Sequence, residues 1–265
     1  MVNTQSNFQA QPIFVIGSAR SGTSIIAKAI KLGTGIPGHN EGHFLPLVSF
    51  IMEEIQSYYN KRKFILDKKS YMISHTNCSE LEDKILKVFR ETCNSLYTSK
   101  VWIDKTPDIE MIKVSPYLLH IWSNSRFIYA KRRGIECINS RLKKFPQVPF
   151  KTHCIIWEAC MNNWLKVKDS LNNQYIEIDQ REIALEPQTT SKKIGNFLHL
   201  NQQEIEKINN TFDSKRPEFT GGKENIKANS IEEFGWSKQQ IETFREICGS
   251  VSKKVGYSET SSYYL

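Results

Sequence analysis

Small and hydroxylated residues form a short loop near the start of the chain, Gly17-Ser-Ala-Arg-Ser-Gly22-Thr-Ser24. The loop follows an apolar run at 12–16 and precedes a helical pattern at 25–32. A loop in this position directs successive backbone N–H groups at one point, where the positive end of the helix dipole also lies. These residues therefore predict a phosphate-binding loop.

The same loop argues against an ordinary nucleoside triphosphatase. Its spacing is that of a P-loop, but Thr23 stands where a Walker A loop carries its Lys. Without that Lys the β- and γ-phosphates lose a cationic partner, and Arg20 offers a positive charge from inside the loop instead. ATP or GTP hydrolysis is therefore disfavoured, although a small-molecule kinase on a P-loop scaffold stays open as an alternative.

A second candidate anion site consists of Arg132 and Ser140, where a strand pattern runs into a helical one. The guanidinium provides a bidentate fork and the hydroxyl a further donor, so the two groups can converge on one anion. More basic residues crowd the same stretch, and a solvated basic surface explains them equally well: Lys131, Arg133, Arg141, Lys143 and Lys144.

Two short segments carry groups suited to proton transfer and charge neutralisation, Asn40-Glu-Gly-His-Phe44 and Asp104-Lys-Thr-Pro107. A carboxylate beside a desolvated cleft has a raised pKa, which would let Glu41 accept a proton near neutral pH. His43 is a rival base because imidazole titrates in the same range. Lys105 follows a predicted strand, and α/β sheets bind ligands at the carboxyl ends of their strands.

The elements that must position these residues alternate between strand and helix. Apolar runs predict strands at 12–16, 101–103, 126–130 and 175–179, and amphipathic patterns predict helices at 25–32, 46–60, 80–97, 134–145, 150–171, 189–198 and 237–255. This alternation indicates an α/β fold with a parallel sheet and helices on both faces. We predict a polar tail over 1–10 and a single domain over 11–265.

Composition narrows the class of partner. Lys and Arg number 36 against 28 Asp and Glu, a net charge of +8, which favours an anionic partner such as a nucleic acid, a membrane surface or a polyphosphorylated small molecule. The six cysteines include no CxxC pair, so no zinc ribbon is expected. No apolar stretch approaches the ~18 residues of a membrane span, and the N-terminus lacks a secretory signal, which predicts a cytoplasmic protein.

Taken together, the two phosphate motifs resemble those of sulfotransferases that use 3′-phosphoadenosine 5′-phosphosulfate (PAPS). The resemblance implies a three-layer P-loop NTPase-like fold and PAPS as the sulfuryl donor. It also implies adenosine 3′,5′-bisphosphate (PAP) as the nucleotide product, and no metal. It further implies two groups of donor-binding residues. The 5′-phosphate would be held by Arg20, Ser21, Gly22, Thr23 and Ser24, and the 3′-phosphate by Arg132 and Ser140.

The two short segments resemble the Glu-x-His-Phe and Glu-Lys-Thr-Pro segments of the heparan-type members of that family. The resemblance implies that Glu41 is the base and that Lys105 reaches the acceptor and the bridging oxygen. The C-terminal Arg-Lys-Gly phosphate loop of the cytosolic hormone-type members has no counterpart in this sequence. The segment from Arg216 to Lys223 is a candidate replacement, with one of these two cations near the 3′-phosphate.

The function expected from the sequence is in-line sulfuryl transfer from PAPS to a hydroxyl or amine of a small-molecule acceptor, such as a secondary metabolite, a sugar or a lipid. A P-loop kinase is the alternative, and it would show magnesium-dependent ATP binding. A nucleic-acid-binding module using the basic stretch 131–144 ranks last, because only Tyr129 and Phe145 near it could stack on bases. No nucleic-acid partner is therefore predicted.

Overall fold

A parallel sheet forms the centre of the molecule. The computed structural model describes residues 11–214 and 228–265. In this part of the chain four strands pair in parallel in the order β2–β1–β3–β4. Their bounds are β1 (Gln11–Gly17), β2 (Val101–Lys105), β3 (Arg126–Lys131) and β4 (Tyr175–Asp179). The four predicted strands and the parallel α/β arrangement are thus confirmed.

Ten α-helices surround the sheet in the described ranges. They are α1 (Thr23–Thr34), α2 (Pro46–Lys61), α3 (Cys78–Ser95), α4 (Ile109–Ile121), α5 (Gly134–Lys144), α6 (Phe150–Val167), α7 (Gln180–Leu185), α8 (Pro187–Leu198), α9 (Gln202–Ser214) and α10 (Lys238–Lys254). Short 3₁₀ turns at Lys63–Ile65 and Met72–His75 connect α2 to α3.

Alternating side chains of β1 build two separate apolar cores. Phe14 and Ile16 face the larger core, to which α2, α4, α6 and α10 contribute, whereas Ile13 and Val15 face a smaller core beneath α1, α8 and α9. Successive residues of a strand point to opposite faces of the sheet, so a fully apolar strand must be covered by helices on both sides. The predicted three-layer arrangement follows directly from this strand.

Sequence periodicity missed three helices. Helix α4 contains Pro116 and is apolar on most of its circumference, so it has no amphipathic stripe to detect. Helix α9 was missed although it has a buried face, formed by Ile205, Ile208, Thr211 and Phe212. Helix α7 has only six residues, too few for a periodicity to be recognised. The predicted helix at 150–171 ends as an α-helix at Val167 and continues as a 3₁₀ turn.

The C-terminal residues pack against the end of β4. Tyr257 and Tyr263 donate hydrogen bonds from their hydroxyls to Asp179 at the end of β4, at 2.5 and 2.9 Å. Arg133, two residues after the end of β3, is completely buried, and its guanidinium lies over the Tyr263 ring. The predicted site residues lie at or near the carboxyl ends of β1, β2 and β3.

Candidate active site

The loop between β1 and α1 adopts left-handed backbone conformations that its sequence permits. Gly17 has φ of +143°, and a Cβ there would lie 2.2 Å from the carbonyl oxygen of Ala130. Gly22 has φ of +99°, and Arg20 has φ of +77°, which is rare for a residue with a side chain. The chain therefore turns sharply beside β3, as a phosphate-binding loop requires.

The start of α1 carries no side-chain cap. Gly22 is the N-cap residue and provides no side-chain cap, and the first turn holds no acidic residue. The first N–H groups of a helix have no partner inside the helix and carry partial positive charge, so they favour an anion. Ser21 is buried and donates from Oγ to the Ser18 carbonyl oxygen at 2.6 Å, which closes the loop on itself.

The predicted pair Arg132 and Ser140 is joined to the loop through Arg20. Arg20 Nε donates to Ser140 Oγ at 3.0 Å, and Arg132 Nη1 donates to the carbonyl oxygen of Arg20 at 3.1 Å. Cys137, one turn before Ser140, donates from Sγ to the Ala19 carbonyl oxygen at 3.2 Å. The two phosphate motifs identified in the sequence thus form one contiguous cluster.

Two guanidinium groups lie close together in this cluster. Burial and the neighbouring Arg132 charge lower the pKa of Arg20. The Nε atom of Arg132 is buried and has no hydrogen-bond partner among the described residues. Buried donors of this kind are costly unless they are paired. An anion bound between the two side chains would satisfy the unpaired donor and offset the repulsion between the like charges.

On the other side of β1, Glu41 lies between two basic side chains. Its Oε1 accepts from Lys105 Nζ at 2.5 Å and its Oε2 is 2.6 Å from His43 Nε2. Lys105 is only 5% exposed and extends from the end of β2, whereas His43 is on the surface. The sheet therefore brings together the three side chains that the sequence nominated as base, rival base and catalytic cation.

The pKa of Glu41 differs in direction from the sequence-based expectation. A raised pKa was expected from desolvation, but the hydrogen bond from Lys105, followed by that from His43, lowers the pKa of Glu41 below its ordinary value. Burial opposes this effect only partly because the carboxylate is largely solvated. The raised carboxyl pKa belongs instead to Asp104, which is buried at the end of β2.

Thr106 holds the Glu41 loop against β2. Its Oγ1 accepts from the backbone N–H groups of Gly42 and His43, each at 3.3 Å, and donates to Asp104 Oδ1 at 2.7 Å. His43 has φ of +50°, and a Cβ on Gly42 would lie 1.8 Å from Asp104 Oδ2. The loop that carries Glu41 is thus closely fitted to this pair of side chains.

Most of the other basic residues in the stretch 131–144 have specific partners. Lys131 pairs with Glu177 at 2.8 Å, Arg133 is enclosed, and Arg141 is buried against His153. Lys143 and Lys144 are exposed on α5. A continuous solvated basic face, which the sequence left open, is therefore not what these five residues form.

Sequence reasoning missed two side chains of the site. Thr106 was part of a quoted motif but received no role, because its partners in the Glu41 loop are more than sixty residues away along the chain. Cys137 carried no signal, since it reads as an apolar residue of a helix. The two C-terminal candidates, Arg216 and Lys223, lie outside the described residues.

Two further observations concern metal-binding sites and membrane-spanning helices. Within residues 11–214 and 228–265, no group of three or more metal-ligating side chains comes together. In the same ranges no helix combines the length and the apolar character needed to cross a membrane.

Comparison with known proteins identifies a family. A model of the sulfotransferase family matches residues 12–204. Among solved structures, sulfotransferase STF9 from Mycobacterium avium superposes with a TM-score of 0.50 at 12% identity, over 93% of this chain and 77% of that one. The sulfotransferase domain of the Synechococcus PCC 7002 olefin synthase superposes with a TM-score of 0.54 at 15% identity, over 94% and 96%. The search of curated proteins found no match.

Proposed function

The chain belongs to the sulfotransferase family, and from that premise we propose that it transfers a sulfuryl group from PAPS to a hydroxyl or amine of a small-molecule acceptor. The observation that carries the proposal is the cluster of Arg20, Arg132 and Ser140 beside the uncapped start of α1. This cluster offers cations, a hydroxyl and backbone N–H groups to an anion with several phosphate oxygens. Secondary metabolites, sugars and lipids are the acceptor types we propose.

Two groups of residues would bind the two phosphate positions of PAPS. The loop from Arg20 to Ser24 offers backbone N–H groups and would hold the 5′-phosphate. Arg132 and Ser140 would hold the 3′-phosphate, and the unpaired Nε of Arg132 supports this assignment. Arg20 contacts Ser140 directly and so lies between the two groups. A donor with only a 5′-polyphosphate would leave the second group unpaired, which favours PAPS over ATP.

When bound, PAPS supplies the sulfuryl group, and the S–O bond to its 5′-phosphate is the bond that breaks. Glu41 takes the proton from the acceptor hydroxyl or amine as the new bond to sulfur forms. Each of its oxygens accepts one hydrogen bond in the structure and keeps a further lone pair for the acceptor proton. Lys105 and Arg20 provide positive charge where the leaving group becomes more negative. We propose that no metal takes part.

Two roles remain for His43. It contacts Glu41 at 2.6 Å, so it either orients the carboxylate or accepts the proton itself. The lowered pKa of Glu41 keeps its carboxylate unprotonated throughout the neutral range, which is the form that a base requires, although it also makes the carboxylate a weaker base. We therefore propose Glu41 as the base and His43 as its positioning residue.

The kinase alternative is not favoured. Thr23, at the position of the Walker Lys, is buried and brings no charge to the loop. A kinase would need another cation for the β- and γ-phosphates, and membership of the sulfotransferase family argues for a different transferred group.

Calorimetry with PAP tests the donor assignment. We expect Arg132→Ala and Ser140→Ala to weaken PAP binding by about 10- to 100-fold, as expected for the loss of one charge-assisted hydrogen bond. Lys143→Ala, on the exposed side of the same helix, is the matched control and should bind PAP as the unaltered protein does. Equal affinities in all four proteins, or magnesium-dependent ATP binding with no response to PAP, would contradict the proposal.

A further inference from the structure

Half of the net charge of the protein lies in one nine-residue stretch. Residues 61–69 read Lys-Arg-Lys-Phe-Ile-Leu-Asp-Lys-Lys, with five cations against one carboxylate, a net charge of +4 within the total of +8. The candidate active site uses Arg20, Lys105 and Arg132 and therefore does not account for this excess. We call residues 61–72 the basic turn, because this stretch joins the end of α2 to the 3₁₀ turn before α3.

The cations of the basic turn are available to an external partner. None of its five Lys and Arg residues forms an ion pair with another residue in the described ranges. The four lysines are exposed, and Arg62 lies over the Tyr58 ring at 3.5 Å. Unpaired like charges held in one short segment repel one another, and an anionic surface would relieve that repulsion.

Large apolar side chains project from the same segment. Phe64 is 73% exposed and Met72 is 85% exposed, and Tyr71 is also on the surface. Met72 has the largest exposed fraction of any large apolar side chain in the described residues. Three exposed large apolar side chains within nine residues of chain are more than the single scattered ones of an ordinary surface, and they favour an interaction role for this segment.

An open cleft adjoins this segment. It has a volume of about 550 Å³ and lies between α2 and the start of α3. Its lining is mainly apolar and aromatic, and Glu54 is the only carboxylate in it; the residues are Glu54, Ile55, Tyr58, Tyr59, Met72, Ile73, Thr76 and Leu81. Met72 belongs both to the basic turn and to the cleft, so the cleft opens directly beside the basic turn.

We propose that the basic turn docks the protein on an anionic phospholipid surface. Its lysines would face the lipid phosphates, while Phe64, Tyr71 and Met72 enter the boundary between headgroups and acyl chains. Basic residues around exposed aromatic and aliphatic side chains are the composition of segments that lie in this interface. The cleft behind Met72 offers space for an acyl chain that leaves the lipid layer.

Two other classes of partner fit the surface less well. Lysine is depleted in the buried centre of protein interfaces, whereas here four exposed lysines lie in the same twelve residues as the apolar groups. A nucleic acid would use the cations, and Phe64 and Tyr71 could stack on its bases, but Met72 and the apolar cleft would have no counterpart. An anionic lipid surface uses both the charges and the apolar side chains.

Cosedimentation with vesicles tests the electrostatic part. We expect binding to phosphatidylcholine vesicles that contain about 30% phosphatidylserine, and little binding to pure phosphatidylcholine. The triple variant K63E/K68E/K69E should bind the anionic vesicles roughly 100-fold more weakly, because each lost cation contributes about fivefold. The control K192E/K207E/K238E makes the same change of charge at exposed lysines elsewhere and should stay within about threefold of the unaltered protein.

Fluorescence tests the apolar part. Phe64→Trp should show a blue-shifted emission when anionic vesicles are added, whereas Leu185→Trp, at an exposed position on α7, should not shift. Equal binding of the two triple variants, no shift for the Phe64→Trp protein, or tighter binding to a single-stranded oligonucleotide than to vesicles would each overturn the proposal. Far-ultraviolet circular dichroism and the thermal midpoint verify that each variant is folded. None of these measurements depends on sulfuryl transfer.

Discussion

Glu41 is held between Lys105 and His43, and these two contacts set the pH range in which its carboxylate is ionised. The strong hydrogen bond from Lys105 outweighs the effect of burial, so the pKa of Glu41 lies below its ordinary value. A base works in its unprotonated form, and Glu41 stays in that form at every pH above its lowered pKa. A histidine base would instead place the acid limb of the rate at a higher pH than a carboxylate base does.

The pH dependence of transfer therefore separates the two candidate bases. With Glu41 as the base, the acid limb of kcat/KM lies below about pH 4.5, the ordinary value that Lys105 lowers. Glu41→Gln should reduce kcat by at least 100-fold while PAP affinity measured by calorimetry stays unchanged.

His43→Gln provides the comparison for that experiment. Its acid limb should shift only slightly upward, because the hydrogen bond from Lys105 lowers the pKa of Glu41 more than that from His43 does. Only part of the rate should be lost, because the carboxylate stays in place. An acid limb well above pH 4.5 that disappears in His43→Gln would assign the base to His43 instead.

The loop after α1 depends on the end of β2 for its conformation. The Thr106 hydroxyl accepts hydrogen bonds from two backbone N–H groups of this loop and donates one to the buried Asp104. Burial raises the pKa of Asp104, and the Thr106 hydroxyl opposes that rise by hydrogen-bonding to the carboxylate. One hydroxyl thus joins the position of Glu41 to the stability of the strand end.

Thr106→Val and Thr106→Ser should differ in both respects. The Val variant loses the acceptor of the loop and the donor to Asp104, so we expect a lower kcat and a free energy of unfolding about 1–3 kcal/mol smaller at neutral pH. The Ser variant keeps the hydroxyl and should restore most of both quantities. Steady-state kinetics and urea denaturation measure them.

The pH dependence of this stability difference has a defined sign. Because the pKa of Asp104 is raised on folding, the protonated form favours the folded state, and that contribution is lost as the pH rises through the raised pKa. The Val variant removes the hydrogen bond that opposes the rise, so its deficit should be largest at neutral pH. The deficit should shrink as the pH approaches the ordinary Asp value of 3.8. A deficit independent of pH would contradict the Asp104 contribution.

Arg133 ties the C-terminal segment to the sheet and so links parts of the chain that are far apart. It forms an ion pair with Glu136, and its guanidinium also donates to the carbonyl oxygens of Asn229, Ser258 and Thr260. From the sequence alone, Arg133 is one of several clustered basic residues whose presence a solvated basic surface could explain. Its complete burial instead makes it an internal connection between β3 and the chain end.

Replacement of Arg133 should therefore affect the whole molecule. Arg133→Met leaves Glu136 and three carbonyl groups without their cation, and we expect the free energy of unfolding to fall by about 3–5 kcal/mol in urea denaturation. Arg245→Met is the matched control in the same region. Arg245 pairs with Glu232 and Glu259 on the surface, so its loss should cost less than about 1 kcal/mol. Similar losses in the two variants would refute the internal role of Arg133.

The sequence by itself determined the strands, the sharply turned loop between β1 and α1, and the family resemblance. Apolar runs such as 12–16 are local signals, and Gly17 and Gly22 meet a local demand for left-handed backbone. The motif of Arg132 and Ser140 is likewise local, because it spans only about two helical turns. Local patterns of this kind are sufficient because backbone conformation and side-chain periodicity depend mainly on neighbouring residues.

The tertiary structure decided which charges are paired and which are available. The ion pair of Glu41 with Lys105 joins residues 64 positions apart, and it reverses the direction of the pKa expected for the carboxylate. In the same way Arg133 became internal, whereas the lysines of the basic turn stayed exposed. The pKa and the availability of a charge depend on desolvation and on neighbours brought together by folding, and a linear sequence specifies neither directly.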